Sequence, residues 1–138
     1  MSPRERYSVL VVDDDAALLE TTIALLQSEH DVIGTQRPHE ALRLLRTSSV
    51  QVVVTDWQMP SMDGIELFRA ILRLDRPIGV LLMTGRMEEF AEEVSFESRK
   101  LLGLIAKPFA PDQMLHRVRQ LGRLAAMKTS VRKLKDGT

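Results

Sequence analysis

Cysteine is absent from this 138-residue chain, which removes disulfides, thiolate metal sites and cysteine nucleophiles. No apolar run approaches the ~20 residues needed to span a bilayer. The polar opening Met1-Ser2-Pro3-Arg4-Glu5-Arg6 leads straight into a strand-like run, so it is no signal peptide. Net charge is missing as well. Nineteen basic and nineteen acidic residues cancel, leaving no global basic field to draw nucleic acid. There is no internal repeat and no low-complexity segment. These absences point to a soluble cytoplasmic protein, with neither membrane attachment nor direct nucleic-acid binding expected.

What is present is one domain's worth of chain, with 44% apolar and 28% charged residues, enough to build a proper core. Four apolar runs of strand length each end in a polar residue. Asp13, Asp14 and Asp15 close Val9-Leu10-Val11-Val12, and Asp56 closes Val52-Val53-Val54-Thr55. Thr84 closes Val80-Leu81-Leu82-Met83, and Lys107 closes Leu104-Ile105-Ala106. A shorter, weaker strand is expected at Asp31–Thr35, nearer an edge. Between the runs lie helical patterns: Leu19, Ile23 and Leu26; Ala41, Leu42 and Leu45 after Pro38; Ile65, Phe68 and Leu72; and Met114, Val118, Leu121 and Ala125. Asp14 or Asp15 is placed to cap the first helix. Met87 to Lys100 reads as a poorly patterned helix with an acidic face.

The order is β-α five times over. That alternation specifies an α/β protein with a parallel sheet and helices on both faces. The expected form is a five-stranded, flavodoxin-like (βα)5 three-layer sandwich in strand order 2-1-3-4-5. Ligands bind such sheets at the carboxyl ends of the strands, so the acids, the hydroxyl and the ammonium should converge there. One aspartate at a helix start is ordinary capping, but three exceed what capping needs. Carboxylates held together repel unless a cation neutralises them, and Mg²⁺ suits a site that combines carboxylates with phosphate oxygens. With no cysteine and no histidine closing any run, the best nucleophile is a carboxylate, which can accept a phosphoryl group as an acyl phosphate. A lysine and a hydroxyl suit the oxygens in transfer.

The motifs Val11-Val12-Asp13-Asp14-Asp15, Thr55-Asp56 through Asp63-Gly64, Met83-Thr84-Gly85 and Lys107-Pro108-Phe109 resemble the receiver domain of two-component response regulators, of the chemotaxis-regulator kind. The resemblance runs from about Tyr7 to Gly122. It implies Asp56 as phospho-acceptor, with Asp13, Asp14, Asp56 and the backbone carbonyl of Gln58 holding Mg²⁺, or Mn²⁺ in its place. It implies Thr84 and Lys107 as the groups that bind the phosphoryl group and switch, and a cis Lys107–Pro108 bond. A histidine kinase or phosphotransfer protein would be the donor. Gln58 and Arg86 would flank the phosphoryl group and set its lifetime. Leu104 departs from the family, which commonly carries Tyr or Phe there as a turning relay.

Two other readings compete. A haloacid-dehalogenase-type phosphatase shares the chemistry but opens with an Asp-x-Asp motif and puts its acidic pair last, the reverse of this order. A degenerate receiver serving only for docking would lack site residues, and here all five are present. The division expected is a receiver at 1–122 (core about 7–122) and a basic helical extension or linker at 123–138. In that tail Leu124, Met127, Val131 and Leu134 make an a/d seam, although Gly122 costs about 1 kcal/mol against Ala in a helix. Such a seam would need a partner: a second copy of the chain, or an output domain absent from this sequence.

Overall fold

A computed structural model describes residues 5–86 and 101–136. The elements run β1 (Ser8–Val12), α1 (Ala16–Gln27), β2 (Asp31–Thr35), α2 (Pro38–Thr47), β3 (Val52–Asp56), α3 (Gly64–Leu72), β4 (Gly79–Thr84), β5 (Leu102–Ala106) and α4 (Pro111–Lys135). The helix read at Met87 to Lys100 lies outside the described residues. All pairings are parallel, and the five strands stand in the order β2-β1-β3-β4-β5, as expected.

The continuous apolar runs follow from burial on both faces. Because side chains alternate along a strand, each run serves two cores. Leu10, Val12, Val53, Val80 and Leu82 meet α2 and α3 on one face, through Ala41, Leu45, Ile65, Phe68 and Ile71. Val9, Val11, Val52, Val54, Leu81 and Met83 meet α1 and α4 on the other, through Leu26, Met114, Val118 and Leu121. The result is three layers. β2 is an edge strand with only Thr35 fully buried.

One expected core position is corrected. Leu72 is 46% exposed, and α3 buries Ile65, Leu67, Phe68 and Ile71 instead. In the last turn Ile71 is the residue that faces the core, and Leu72 lies about 100° further round the helix.

Gly122 does not interrupt α4, which continues to Lys135. A Cβ there would lie 2.4 Å from the Tyr7 ring. The glycine is what lets the helix lie against that buried ring, and this offsets its poor helix propensity.

Candidate functional site

The register of the sheet assembles the site. Val12 pairs with Thr55, so the next residues, Asp13 and Asp56, leave the sheet side by side. Asp56 pairs with Met83, and Thr84 with Ala106, which brings the ends of β4 and β5 to the same edge. The Trp57 N–H donates to the Met83 carbonyl at 2.9 Å, and the Lys107 N–H donates to the Thr84 carbonyl at 2.8 Å. The Lys107–Pro108 peptide is cis.

The three consecutive aspartates have separate positions. Asp15 caps α1, accepting from the Ala17 and Leu18 N–H groups at 3.0 and 3.1 Å. Asp13 is fully buried, and its Oδ1 accepts from the Asp15 N–H at 3.0 Å. Asp14 is exposed at the mouth. It lines an open recess of about 350 Å³ with Gln58, Met59, Pro60 and Asp63. The Gln36 side-chain amide, which no sequence signal singled out, donates to the Asp14 carbonyl at 3.2 Å.

Carboxylate oxygens of Asp13, Asp14 and Asp56 all lie within 4.8 Å of one another. Against them stands Lys107, whose Nζ is 2.9 Å from Asp56 Oδ1, with 15% of the Asp56 side chain exposed. Burial pushes the Asp13 carboxyl above its usual range, and the charges of Asp56 and Asp14 push the same way. The Asp15 N–H and Lys107 pull it back. Asp13 Oδ2 is buried with no hydrogen-bond partner. An unsatisfied buried carboxylate oxygen is costly, and a hard cation relieves it. The donor set, oxygens alone and partly open to solvent, fits Mg²⁺.

Thr84 is buried, and its Oγ1 accepts from the Arg86 N–H at 2.9 Å, which leaves its own proton free to donate. Gln58 and Arg86 are exposed beside the strand ends. Leu104 is half-buried and lines a second open pocket of about 440 Å³ with Gln113, His116 and Arg117.

The site is framed by a glycine. A Cβ at Gly64 would meet the Asp56 carbonyl oxygen at 2.8 Å and the Trp57 Cα at 3.0 Å. Both are backbone atoms, so only glycine allows α3 to begin this close to the Asp56 strand end. Its neighbour Asp63 caps α3, accepting from the Glu66 N–H at 2.8 Å. Asp63 thereby stands in the wall of the recess that Asp14 lines.

Comparison with known proteins agrees with this geometry. The alkaline phosphatase synthesis transcriptional regulatory protein PhoP of Bacillus subtilis is 29% identical over 136 residues, which are 93% of this chain and 53% of that protein. The protein-glutamate methylesterase/protein-glutamine glutaminase of group 3 operon of Bradyrhizobium diazoefficiens is 36% identical over 99 residues, 70% of this chain and 27% of that protein. The chain thus spans only about a quarter to a half of these relatives. The Francisella response regulator 1452 receiver domain superposes with a TM-score of 0.75 at 27% identity, covering 86% of this chain and 98% of that one. The profile of the response regulator receiver domain matches residues 9–119, and the chain belongs to that family.

Proposed function

We propose that this chain is an active phospho-accepting receiver, with Asp56 as its nucleophile. The observation that carries the reading is the Lys107–Asp56 contact at 2.9 Å, set beside the unsatisfied Asp13 oxygen. An Asp56 carboxylate oxygen attacks the phosphorus of a phosphohistidine on a histidine kinase or phosphotransfer protein. A P–O bond forms as the P–N bond breaks, and the departing imidazole keeps the electron pair and takes up a proton.

Asp13, Asp14, Asp56 and the Gln58 backbone carbonyl would hold Mg²⁺, or Mn²⁺ in its place. When bound, the cation neutralises charge on the phosphoryl oxygens. Lys107 pairs with one of those oxygens, and the Thr84 hydroxyl donates to another. Gln58 and Arg86 orient or hinder the water that hydrolyses the acyl phosphate, and so set its lifetime. Leu104 leaves the switch without the turning aromatic ring that the family commonly carries there.

Residues 1–122 form the receiver and 123–138 a basic helical extension or linker. The domain works in the cytoplasm and passes its state to an output partner. It catalyses only its own phosphorylation and dephosphorylation.

The test is incubation with Mg²⁺ and acetyl phosphate, read by intact mass. The phosphate increment appears on the wild-type chain, needs the divalent cation, and is lost in Asp56→Asn. A wild-type level of phosphate on Asp56→Asn would overturn the assignment, and no phosphate on the wild type would favour a docking-only receiver.

A further inference from the structure

The last helix carries two apolar stripes, and the fold uses one. Met114, Val118, Leu121 and Ala125 are buried against the sheet. Leu124, Met127, Val131 and Leu134 form the second, about 130° round the helix axis from the first at 3.6 residues per turn. Met127, Val131 and Leu134 are 57%, 47% and 77% exposed, three of the five large hydrophobics exposed among the described residues. The stripe runs for about 15 Å.

The orientation of this helix end is set by the fold. Arg132 lies on the side that continues the buried stripe. It donates to the Asp75 carbonyl at 2.6 Å and to Asp75 Oδ1 at 3.2 Å, tying the extension to the turn after α3. The apolar stripe, about 130° round the helix from that side, leaves Met127, Val131 and Leu134 facing out.

The charges beside the stripe choose its occupant. With Leu124 and Val131 at a, and Met127 and Leu134 at d, the flanking positions are Arg123, Lys128, Ser130 and Lys135. No acidic residue occurs between Asp112 and Asp136. A parallel second copy would set Arg123 against Lys128, and an antiparallel copy would set lysine against lysine. Both arrangements place like charges along the seam, which disfavours pairing. A lipid surface is a poorer fit. Interfacial helices bury a broad apolar face with aromatic or bulky residues, and this stripe is the narrow a/d kind, with no aromatic between Pro111 and Asp136.

We propose that this stripe docks an amphipathic α-helix of a partner protein whose own a/d seam is flanked by Asp or Glu. The inference is independent of the phosphorylation chemistry at Asp56. Its probe is a labelled helical peptide of three heptads with Leu at a and d and Glu at e and g. A matched peptide carrying Lys at e and g is the control, and both are titrated against the full chain by fluorescence anisotropy. The Glu peptide binds at least about tenfold more tightly than the Lys peptide, and less tightly as salt rises. Met127→Glu with Val131→Glu removes that binding while circular dichroism still reports the folded helix. Lys128→Glu with Lys135→Glu inverts the preference between the peptides. Equal binding of both peptides, or of neither, overturns the proposal. So does self-association, or sedimentation with phosphatidylglycerol vesicles, that Met127→Glu abolishes in a chain that binds no peptide.

Discussion

Among the described residues, both ends of the sheet bury ionisable groups with an atom outside any hydrogen bond: Asp13 Oδ2 at the carboxyl edge, and His30 Nε2, 3.7 Å from Glu29 Oε2, at the amino edge. Burial disfavours the charged form of each, so it raises the Asp13 pKa and lowers that of His30. The surroundings then part company. Asp13 sits behind exposed Asp14 and an open recess, where a cation from solution can reach it. His30 is sealed, with none of its side chain exposed. Its Nδ1 accepts from the Tyr7 N–H at 3.2 Å, and Arg6 donates to its carbonyl at 2.9 Å. Arg6 and Arg119 disfavour a charge on the ring, whereas Glu29 and Asp31 favour one. Beside it, burial and the hydrogen bond to Glu5 push the Tyr7 hydroxyl up to about 12, so it stays protonated. The same desolvation leaves a candidate cation site where access is open, and where it is closed a ring whose charged form is disfavoured.

The sharpest way to break this division is to disturb the closed end alone. Gly122→Leu drives a side chain into the Tyr7 ring, whose nearest atom is already 2.4 Å from where a Cβ would stand. Tyr7 is only 4% exposed, so the ring has little room to give. The expected loss is about 3 kcal/mol of stability, as for severe overpacking, read by urea denaturation. Acquisition of phosphate by the folded fraction should not change. If Gly122→Leu is as stable as wild type, Tyr7 is not held as described.

A smaller effect comes from His30→Leu. It leaves the Tyr7 N–H buried without its acceptor, at about 1–2 kcal/mol. The variant also separates the two ends by pH. The folded pKa of His30 lies below its unfolded value of 6.5, so the unfolded chain takes up the proton first. Its contribution is complete above that value and is lost as pH falls through the window beneath it. Calorimetric stability of the wild type should therefore decline below about pH 6.5, the reference value for His, and the decline should flatten in His30→Leu. An unchanged slope in the variant would assign that loss to other groups.

Much of the open end was legible in the sequence, and little of the closed end was. Asp13, Asp56, Thr84 and Lys107 each terminate a hydrophobic run, and parallel topology carries strand ends to one edge whatever the helices do. That is why sheet order and the convergence of these residues could be read without coordinates. His30, Tyr7 and Gly122 are far apart in the chain and follow no period, so their contact was invisible. Gly122 instead registered as a weak point in a helix. Periodicity also misplaced Leu72: the spacing i, i+3, i+7 fits it, but the face that packs runs through Leu67, Phe68 and Ile71, one position away. Within Asp13-Asp14-Asp15, spacing could not say which carboxylate caps the helix. That depends on backbone direction at the turn, and it is what leaves Asp13 with an unsatisfied oxygen.

The smallest stability effect, and the one of opposite sign, belongs to Asp13→Asn. The amide keeps the shape and can still accept from the Asp15 N–H, but it removes a buried charge that Asp56 and Asp14 both repel. Without divalent cation the variant should be slightly more stable than wild type, a rise in Tm where the two amino-end variants give a fall. Mg²⁺ should reverse the order. A ligand that binds only the folded state adds about 2.7 kcal/mol at a hundred times its Kd, and the wild type should gain more from a given Mg²⁺ concentration than Asp13→Asn. Melting both proteins with and without Mg²⁺ gives the four values needed. If Asp13→Asn is destabilised without Mg²⁺ and gains as much from the cation as wild type, the buried carboxylate is a structural group like His30, and the two ends do not differ in kind.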